Sequence, residues 1–265
     1  MNYGAGMFVE DFIADPDLSR GHINDWVADQ TNDKIPELLP PGSISAATRL
    51  VLTNAIYFKA SWSIPFEPEL TKDAQFNLLG GNQVNVPMMS VSELFRYGKG
   101  ANWQAISLPY VGEQVAMLVI VPDVGTYATF EQGLDGDQLV AILNSLEMRL
   151  GDISMPKFKV DSDLSLRQTL ISLGIEAAFD ADAADFSAID GELGLSISDV
   201  IHSATVAVDE EGTEAAAATA VVFVGTSGPA DPFTLAIDRP FMYSIVDLPT
   251  GAVLFMGRVL DPTSK

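Results

Sequence analysis

Two histidines, His22 and His202, are the imidazoles that this 265-residue chain offers for acid–base or metal chemistry. A Ser-His-Asp triad would have to use one of them. Ser227 lies in a Gly-Thr-Ser-Gly stretch, which lacks the G-x-S-x-G spacing of a hydrolase nucleophile turn. His22 has no second ligand at helical spacing. His202 falls on an apolar strand face, where a hydrogen-bonded structural histidine in the core is expected. We therefore predict that the protein is not an enzyme.

A metal site is the second chemistry to consider. Asp180, Asp182 and Asp185 suggest a calcium loop, but that loop needs glycine at its sixth position and glutamate at its twelfth. This sequence has Asp185 and Gly191 there, so a solvated acidic loop is the better interpretation. The absence of cysteine excludes thiolate metal sites, thiol catalysis and disulfides. No metal and no cofactor are expected.

Composition excludes two further classes of partner. The chain has 36 acidic and 14 basic residues and a net charge of -22, so it would repel nucleic acid. Its longest apolar run, Val115 to Val121, is far shorter than the roughly 18 residues of a membrane span. The first residues show no basic segment followed by an apolar one, so no signal peptide is visible.

The elements that must position any site mix helices with mainly antiparallel strands, which predicts an α+β fold. Arg49–Phe58 is mostly apolar, as in a strand covered on both faces, and Asn54 within it is predicted to be buried and hydrogen-bonded. Helices are predicted over Leu18–Gln30, Thr129–Leu146 and Leu164–Leu173. Other strands are predicted over Ala105–Val111, Val115–Val121, Ile153–Val160, Ile197–Val208, Phe241–Val246 and Val253–Val259.

The most unusual stretch runs from Asp209 to Ala220 (DEEGTEAAAATA). Its alanines and glutamates favour a helix by propensity alone. Its position between two β-prone segments favours a latent strand instead. In a strand, alternate residues from Thr213 to Phe223 would form one uncharged face, and Glu214 would lie on the other. Such a ribbon could leave solvent and enter a sheet without desolvating a charge. Both interpretations remain open from local sequence.

Three motifs are especially distinctive: Leu52–Lys59 (LTNAIYFK), Glu210–Ala217 (EEGTEAAA) and Asp238–Phe241 (DRPF). With them the sequence resembles the serpin family of serine protease inhibitors. The similarity covers essentially the whole chain, and the ordered series of motifs makes it specific. The matching segments are Trp26-Val27, Leu38–Gly42, Leu52–Lys59, Trp62, Val86–Met89, Leu173-Gly174, Ala178-Phe179, Ile201-His202, Glu210–Ala217, Asp238–Phe241, Phe255–Val259 and Pro262.

The resemblance implies a fold, a mechanism and a role for each matching residue. A protease attacks an exposed reactive loop at about residues 210–232, and the cleaved loop then inserts as a new strand in the main sheet, driven by a metastable native state. Asn54 and His202 match the shutter pair that must part. Trp62 matches the tryptophan of the breach, where insertion begins, and Glu210 with Lys157 matches a breach salt bridge. The hinge comprises Glu210, Glu211, Gly212, Thr213, Glu214, Ala215, Ala216, Ala217 and Ala218.

The reactive bond is placed at Thr226-Ser227 by the family's usual spacing from Glu210. Counting back from Pro240-Phe241 shifts it by a few residues, so the bond itself stays open. No lysine or arginine lies between Val221 and Asp231. This disfavours trypsin-like targets and indicates an elastase- or subtilisin-like serine protease as the partner. A non-inhibitory serpin that serves as a binding or carrier module is the alternative.

The resemblance also implies an organisation for the chain. Residues 1–265 are expected to form a single serpin domain that lacks the family's N-terminal third, including helices A to E. We expect this chain by itself to be a poor inhibitor. The family further implies a monomer in an extracellular or periplasmic location.

Overall fold

A computed structural model of the protein describes residues 6–213 and 231–264. The chain forms two compact units, each built from two stretches of sequence. Unit 1 comprises Met1–Tyr57 and Asp161–Thr205, and unit 2 comprises Phe58–Val160 and Val206–Lys265. Helices and mixed sheets occur together, so the predicted α+β class is confirmed. In the described ranges no helix has both the length and the apolar character to cross a bilayer.

The elements are numbered here in chain order. The helices are α1 (Pro16–Gln30), α2 (Tyr127–Gly133), α3 (Gly136–Ser145), α4 (Arg167–Ser172) and α5 (Ser187–Asp190). The strands are β1 (Val51–Tyr57), β2 (Ala60–Ser61), β3 (Lys72–Asn77), β4 (Gln83–Lys99), β5 (Trp103–Pro109), β6 (Val115–Pro122), β7 (Glu147–Pro156), β8 (Phe158–Ser165), β9 (Asp199–Val208), β10 (Gly212–Thr213), β11 (Phe233–Ala236), β12 (Phe241–Asp247) and β13 (Ala252–Val259).

Helix α1 in unit 1 begins and ends with side-chain caps. The Asp15 carboxylate accepts a hydrogen bond from the backbone N–H of Leu18 at 3.0 Å, and proline occupies the first turn. At the C-terminal end the Thr31 hydroxyl donates to the Val27 carbonyl at 2.8 Å. Val27 packs into a small core with Ile35, Leu38, Leu39 and Ile44. The helix predicted from Leu18 is confirmed.

Strand β1 pairs in parallel with β9, from Val51 opposite Asp199 to Tyr57 opposite Thr205. The exposure of β1 alternates along its length. Its half-buried residues Val51 and Ala55 pack on the small core, whereas Leu52, Asn54 and Ile56 are exposed. The predictions that this strand is covered on both faces and that Asn54 is buried are therefore wrong for the described structure, because the core contacts one face.

Unit 2 is organised around an eight-stranded sheet in the order β11-β7-β4-β5-β6-β12-β13, with β3 also paired to β4. Strand β4 is 17 residues long and pairs antiparallel with β3, β7 and β5. Strand β11 pairs in parallel with β7, so the sheet is mixed. The core of this unit is rich in aromatic residues, among them Trp62, Phe76, Phe95, Tyr110 and Phe241.

The predicted hairpin over residues 105–121 is confirmed as β5 and β6, paired antiparallel. Between them Gly112 and Glu113 adopt positive φ angles of 89° and 53°, a conformation that suits glycine. The terminal strands β12 and β13 also match their prediction.

Three predicted boundaries were wrong. The helix predicted over residues 129–146 is two helices, because the Asp135 carboxylate accepts from the N–H of Gln138 at 2.8 Å and starts α3 anew. The strand predicted over 153–160 is two strands, β7 and β8, separated by Lys157. Leu164 belongs to β8, so α4 begins only at Arg167.

Candidate functional site

The chain just before residue 214 is held in a sheet. Strand β10 pairs antiparallel with β2, with Gly212 opposite Ser61 and Thr213 opposite Ala60. Thr213 also pairs antiparallel with Val208 of β9, so β10 lies between β9 and β2. Thr213 is fully buried, at 0% exposure. The exposed loop predicted at about residues 210–232 lies mostly outside the described residues and stays a prediction; at its start, Glu210, Gly212 and Thr213 are buried.

A tight turn connects β9 to β10. The Asp209 carboxylate accepts from the backbone N–H groups of Glu211 and Gly212 at 2.9 and 3.2 Å. The N–H of Asp209 donates to the Gly212 carbonyl at 3.0 Å. A short acceptor side chain that bonds its own backbone two residues on is a typical turn former. The turn reverses the chain within four residues and delivers Thr213 beside Val208.

Trp62 secures this turn from the side. Its indole Nε1–H donates to the Asp209 carbonyl at 3.0 Å, and its backbone N–H donates to the Glu211 carbonyl at 2.9 Å. The N–H of Phe66 donates to the Glu210 carbonyl, also at 2.9 Å. Consecutive carbonyls of the turn are therefore all satisfied by residues 62–66. Trp62 is 2% exposed, so these bonds are shielded from competing water.

Tyr110 packs beneath the same turn. Its ring stacks on Trp62 with centroids 4.5 Å apart and an interplanar angle of 14°, and it contacts Phe58 edge-on at 4.9 Å. The Tyr110 hydroxyl lies 2.7 Å from the Thr213 hydroxyl. Burial raises the pKa of the Tyr110 phenol far above its ordinary value, so the hydroxyl keeps its proton at physiological pH.

Glu210 contributes a carboxylate to the contacts around this turn. Its Oε2 lies 2.7 Å from Lys157 Nζ, and its Oε1 accepts from the Thr71 hydroxyl at 2.8 Å. Burial alone would raise the pKa of this carboxyl, but the hydrogen bonds from Lys157 and Thr71 outweigh it and hold the pKa below its ordinary value. Lys157, between β7 and β8, is thus joined to the turn. We call Trp62, Thr71, Tyr110, Lys157, Glu210 and Thr213 the hinge cluster.

Asn54 and His202 lie in unit 1 and are direct partners in the parallel register of β1 and β9. The Asn54 Oδ1 lies 2.8 Å from His202 Nδ1, so the side chains tie the two strands together. His202 is half-buried rather than in the core, and Asn54 is exposed. The structure thus brings the two residues together at the middle of the β1–β9 seam.

The remaining candidates fall elsewhere. His22 faces Glu10, with Nδ1 3.2 Å from Oε2. Asp185 accepts from the hydroxyl and N–H of Ser187 within its own loop. Within the described ranges no three metal-binding side chains gather in one place. Seven predicted site residues lie outside the described residues, and their roles stay predictions: Glu214, Ala215, Ala216, Ala217, Ala218, Thr226 and Ser227.

Sequence reasoning missed two members of the hinge cluster, Thr71 and Tyr110. Tyr110 ends an apolar run, and its burial could have been anticipated together with a hydroxyl that then needs a partner. That partner, 103 residues further on, carries no local signal. Thr71 follows a short 3-10 turn and has no feature in the sequence that marks it.

The hinge cluster is suited to fixing the position of the backbone. It holds the backbone before residue 214 in one register by aromatic packing, hydrogen bonds and an ion pair. Its ionisable pair, Glu210 and Lys157, is mutually neutralised, and Glu210 also accepts from the Thr71 hydroxyl.

Comparisons with known proteins agree on one family. The family model described as Serpin (serine protease inhibitor) matches residues 1–262. An uncharacterized serpin-like protein of Thermococcus kodakarensis is 37% identical over 254 residues, which cover 95% of this chain and 58% of that protein. Serpin B6 of Macaca fascicularis is 39% identical over 265 residues, covering 98% of this chain and 70% of that protein.

A solved structure of thyroxine-binding globulin in complex with thyroxine superposes with a TM-score of 0.87 at 30% identity. The match covers 99% of this chain and 69% of that one. The chain thus spans a little under three-fifths of the archaeal relative's length and about two-thirds of the solved structure's.

Proposed function

Since this chain belongs to the serpin family, we propose that the protein inhibits serine proteases by offering the segment after residue 213 as bait and then inserting it as a strand. The observation that supports this most is β10. Its two residues already lie between β9 and β2, and the sequence that follows has an uncharged, mostly small-residue face. A strand that has begun in this way can be extended by residues that bury no charge.

The proposed reaction starts as ordinary proteolysis. The hydroxyl oxygen of the protease serine attacks the carbonyl carbon of the bait bond, the C–N bond breaks, and the amine leaves with a proton from the protease histidine. The N-terminal part of the loop stays linked to the protease as an ester. Insertion of that part then carries the protease away and distorts its active site before water can cleave the ester.

Extending β10 also provides the driving force. A strand inserted between two others can bond both of them, whereas the direct β1–β9 pairing that it replaces is a single ladder. The first pairing is the costly one, because it must close a loop. In this protein the pairings of Gly212 and Thr213 are already made, so insertion needs only to propagate.

The Asn54–His202 pair has a natural role in this proposal. Insertion between β1 and β9 requires the direct parallel pairing of the two strands to open. The hydrogen bond between Asn54 and His202 would then break and be replaced by bonds to the incoming strand. The pair thus opposes insertion until the loop is cut.

Target selection follows from the bait segment. Residues 221–231 contain no lysine or arginine, whereas a trypsin-like pocket holds a carboxylate that binds a basic side chain. Small and branched side chains suit elastase- and subtilisin-like enzymes instead. The reactive bond at Thr226-Ser227, the monomeric state and an extracellular or periplasmic location belong to the same proposal.

A carrier function is the second candidate, favoured by the similarity to thyroxine-binding globulin in complex with thyroxine. A carrier has no need for a loop that inserts quickly. The uncharged face that begins at Thr213 and continues through Ala215 and Ala217 therefore favours inhibition over this alternative.

The test uses the intact protein with trypsin, elastase and subtilisin, followed by denaturing electrophoresis. We expect a covalent complex that survives SDS with elastase or subtilisin. Ala217→Glu, which charges the inserting face, should be cleaved without complex formation, whereas Ala216→Glu on the opposite face should still form it. Clean cleavage of the unmodified protein by all three enzymes would support the carrier function instead.

A further inference from the structure

The Tyr110 and Thr213 hydroxyls form a buried polar contact beside the rings of Trp62 and Phe58. Tyr110 is 1% exposed and Thr213 is 0% exposed, and the oxygen atoms are 2.7 Å apart. The Tyr110 ring is fixed by Trp62 on its face and by Phe58 at its edge. Because a buried hydroxyl without a partner is costly, each of these groups depends on the other.

From this geometry we infer that Tyr110 is a positioning residue for loop insertion: its hydroxyl selects Thr213, and so sets the register in which the inserting strand begins. This inference rests on the proposed inhibitory function. It adds that the Tyr110 hydroxyl determines which residue begins the inserting strand.

The residues on either side of Thr213 could not make this contact. Side chains alternate between the two faces of a strand, so a one-residue slip would bring Gly212 or Glu214 to Tyr110, and a two-residue slip would bring Glu211 or Ala215. Glycine and alanine offer no hydroxyl, and either glutamate would bring a carboxylate into an apolar site. Thr213 alone in the stretch from Glu211 to Ala215 carries a hydroxyl.

The charge state of the pair makes this selection independent of pH. Burial keeps the Tyr110 phenol protonated, and a threonine hydroxyl does not titrate in water. One hydroxyl therefore donates to the other at physiological pH. The neighbouring ion pair of Glu210 with Lys157 fixes the turn before the strand, and the Tyr110–Thr213 contact fixes a residue of the strand itself.

The test compares four variants of the intact protein by hydrogen exchange. Thr213→Val keeps the branched shape and removes the hydroxyl, Thr213→Ser keeps the hydroxyl, and Tyr110→Phe removes the partner. We expect Thr213→Val and Tyr110→Phe each to speed exchange of the peptide containing residues 209–213 about ten-fold. Thr213→Ser should exchange at close to the unmodified rate. The double variant Tyr110→Phe/Thr213→Val should recover most of the protection, because two apolar groups then face each other.

A general loss of stability would look different. It would speed exchange in the core strand β6 (Val115–Pro122) as well as in the hinge. The positioning role predicts an effect confined to residues 209–213. It also predicts that more molecules of Thr213→Val or of Tyr110→Phe than of Thr213→Ser are needed to inhibit one molecule of protease.

Two results would overturn the inference: hinge exchange in Thr213→Val that equals the unmodified rate, or effects of the two single changes that simply add in the double variant. Neither requires a protease. If no covalent complex forms with any protease, the proposed function fails while exchange still reports on the hydroxyl pair. If the complex forms and hinge exchange is unchanged, the function stands and the role of Tyr110 is refuted.

Discussion

Replacing Lys157 by methionine removes the ammonium that neutralises Glu210 and keeps the aliphatic stem. The Glu210 side chain is 11% exposed and that of Lys157 is 39% exposed. The change therefore leaves a largely buried carboxylate oxygen, Oε2, without its donor. The Thr71 hydroxyl still bonds Oε1 at 2.8 Å, so the carboxylate is only half satisfied.

The expected magnitude follows from this exposure. Hydrogen bonds to charged groups contribute about 1.5–3 kcal/mol, and the partial exposure of Lys157 places this bond toward the lower end. We predict a loss of about 2 kcal/mol in the free energy of unfolding at pH 7, seen as a lower urea midpoint with an unchanged slope. Arg258→Met is the matched control. Arg258 contacts Glu131 at the same 2.7 Å but is 57% exposed, so its loss should cost about 0–1 kcal/mol.

The pH dependence gives a second check on the same pair. The pKa of Glu210 is lower in the folded protein than in the unfolded chain, so the stabilisation is fully present above the unfolded pKa of about 4.3. It is lost as the pH falls through the lower folded pKa. The difference between Lys157→Met and the unmodified protein should therefore shrink below about pH 4. A cost no larger than that of Arg258→Met, or one that stays constant down to pH 3, would refute the reasoning.

Three further predictions concern residues around the same elements. Trp62→Phe removes the donor to the Asp209 carbonyl and leaves a cavity, because Trp62 is buried. It should lower the urea midpoint by an amount equivalent to about 2–4 kcal/mol. An unchanged midpoint would contradict the role given to the indole. Gly151→Ala would drive a methyl group into the Phe233 ring and should cost about 1–3 kcal/mol, with faster proteolysis at β11. The control Gly133→Ala meets nothing within 4 Å and should be neutral or stabilising. Equal effects of the two changes would contradict this. Asn54→Ala and His202→Ala should each lower the free energy of unfolding by about 0.5–1.5 kcal/mol, and their effects should not add in the double variant. Strict additivity in thermal melts would show that the 2.8 Å contact contributes nothing.

The helices and strands of this fold were easier to predict from the sequence than the residues at which they begin and end. The β5–β6 hairpin and the terminal β12–β13 pair were predictable because apolar runs flank short turn signals. The break between α2 and α3 was missed because the helical periodicity of the sequence continues across Asp135. Only the hydrogen bond from the Gln138 N–H to the Asp135 carboxylate marks the start of the second helix. The exposure of Asn54 was missed because an apolar strand sequence does not reveal which of its faces the core contacts.

The candidate site was predictable only in part, for a related reason. Trp62, Lys157 and Glu210 could be named from a family resemblance, and Asn54 and His202 likewise. The position of Thr213 in the sheet could not be predicted locally. It depends on pairing with Ala60 and on contact with Tyr110, which are both distant from Thr213 in sequence. Local propensity favours a helix over Asp209 to Ala220, whereas tertiary pairing places Gly212 and Thr213 in a strand.

In the proposed mechanism the cleaved loop enters between β1 and β9. The protein has no cysteine, and Ala55 and Ser203 are direct partners in the parallel register of those strands. A disulfide between Ala55→Cys and Ser203→Cys would therefore lock the two strands together. Neighbouring strands bring partner Cα atoms within the distance that a disulfide spans.

The measurement is the yield of SDS-stable complex between this variant and a susceptible protease, oxidised and then reduced. We predict that the oxidised protein is cleaved as a substrate and forms no complex, and that reduction restores the yield of the unmodified protein. Equal yields of complex in both states, with the disulfide verified by mass spectrometry, would contradict insertion between β1 and β9.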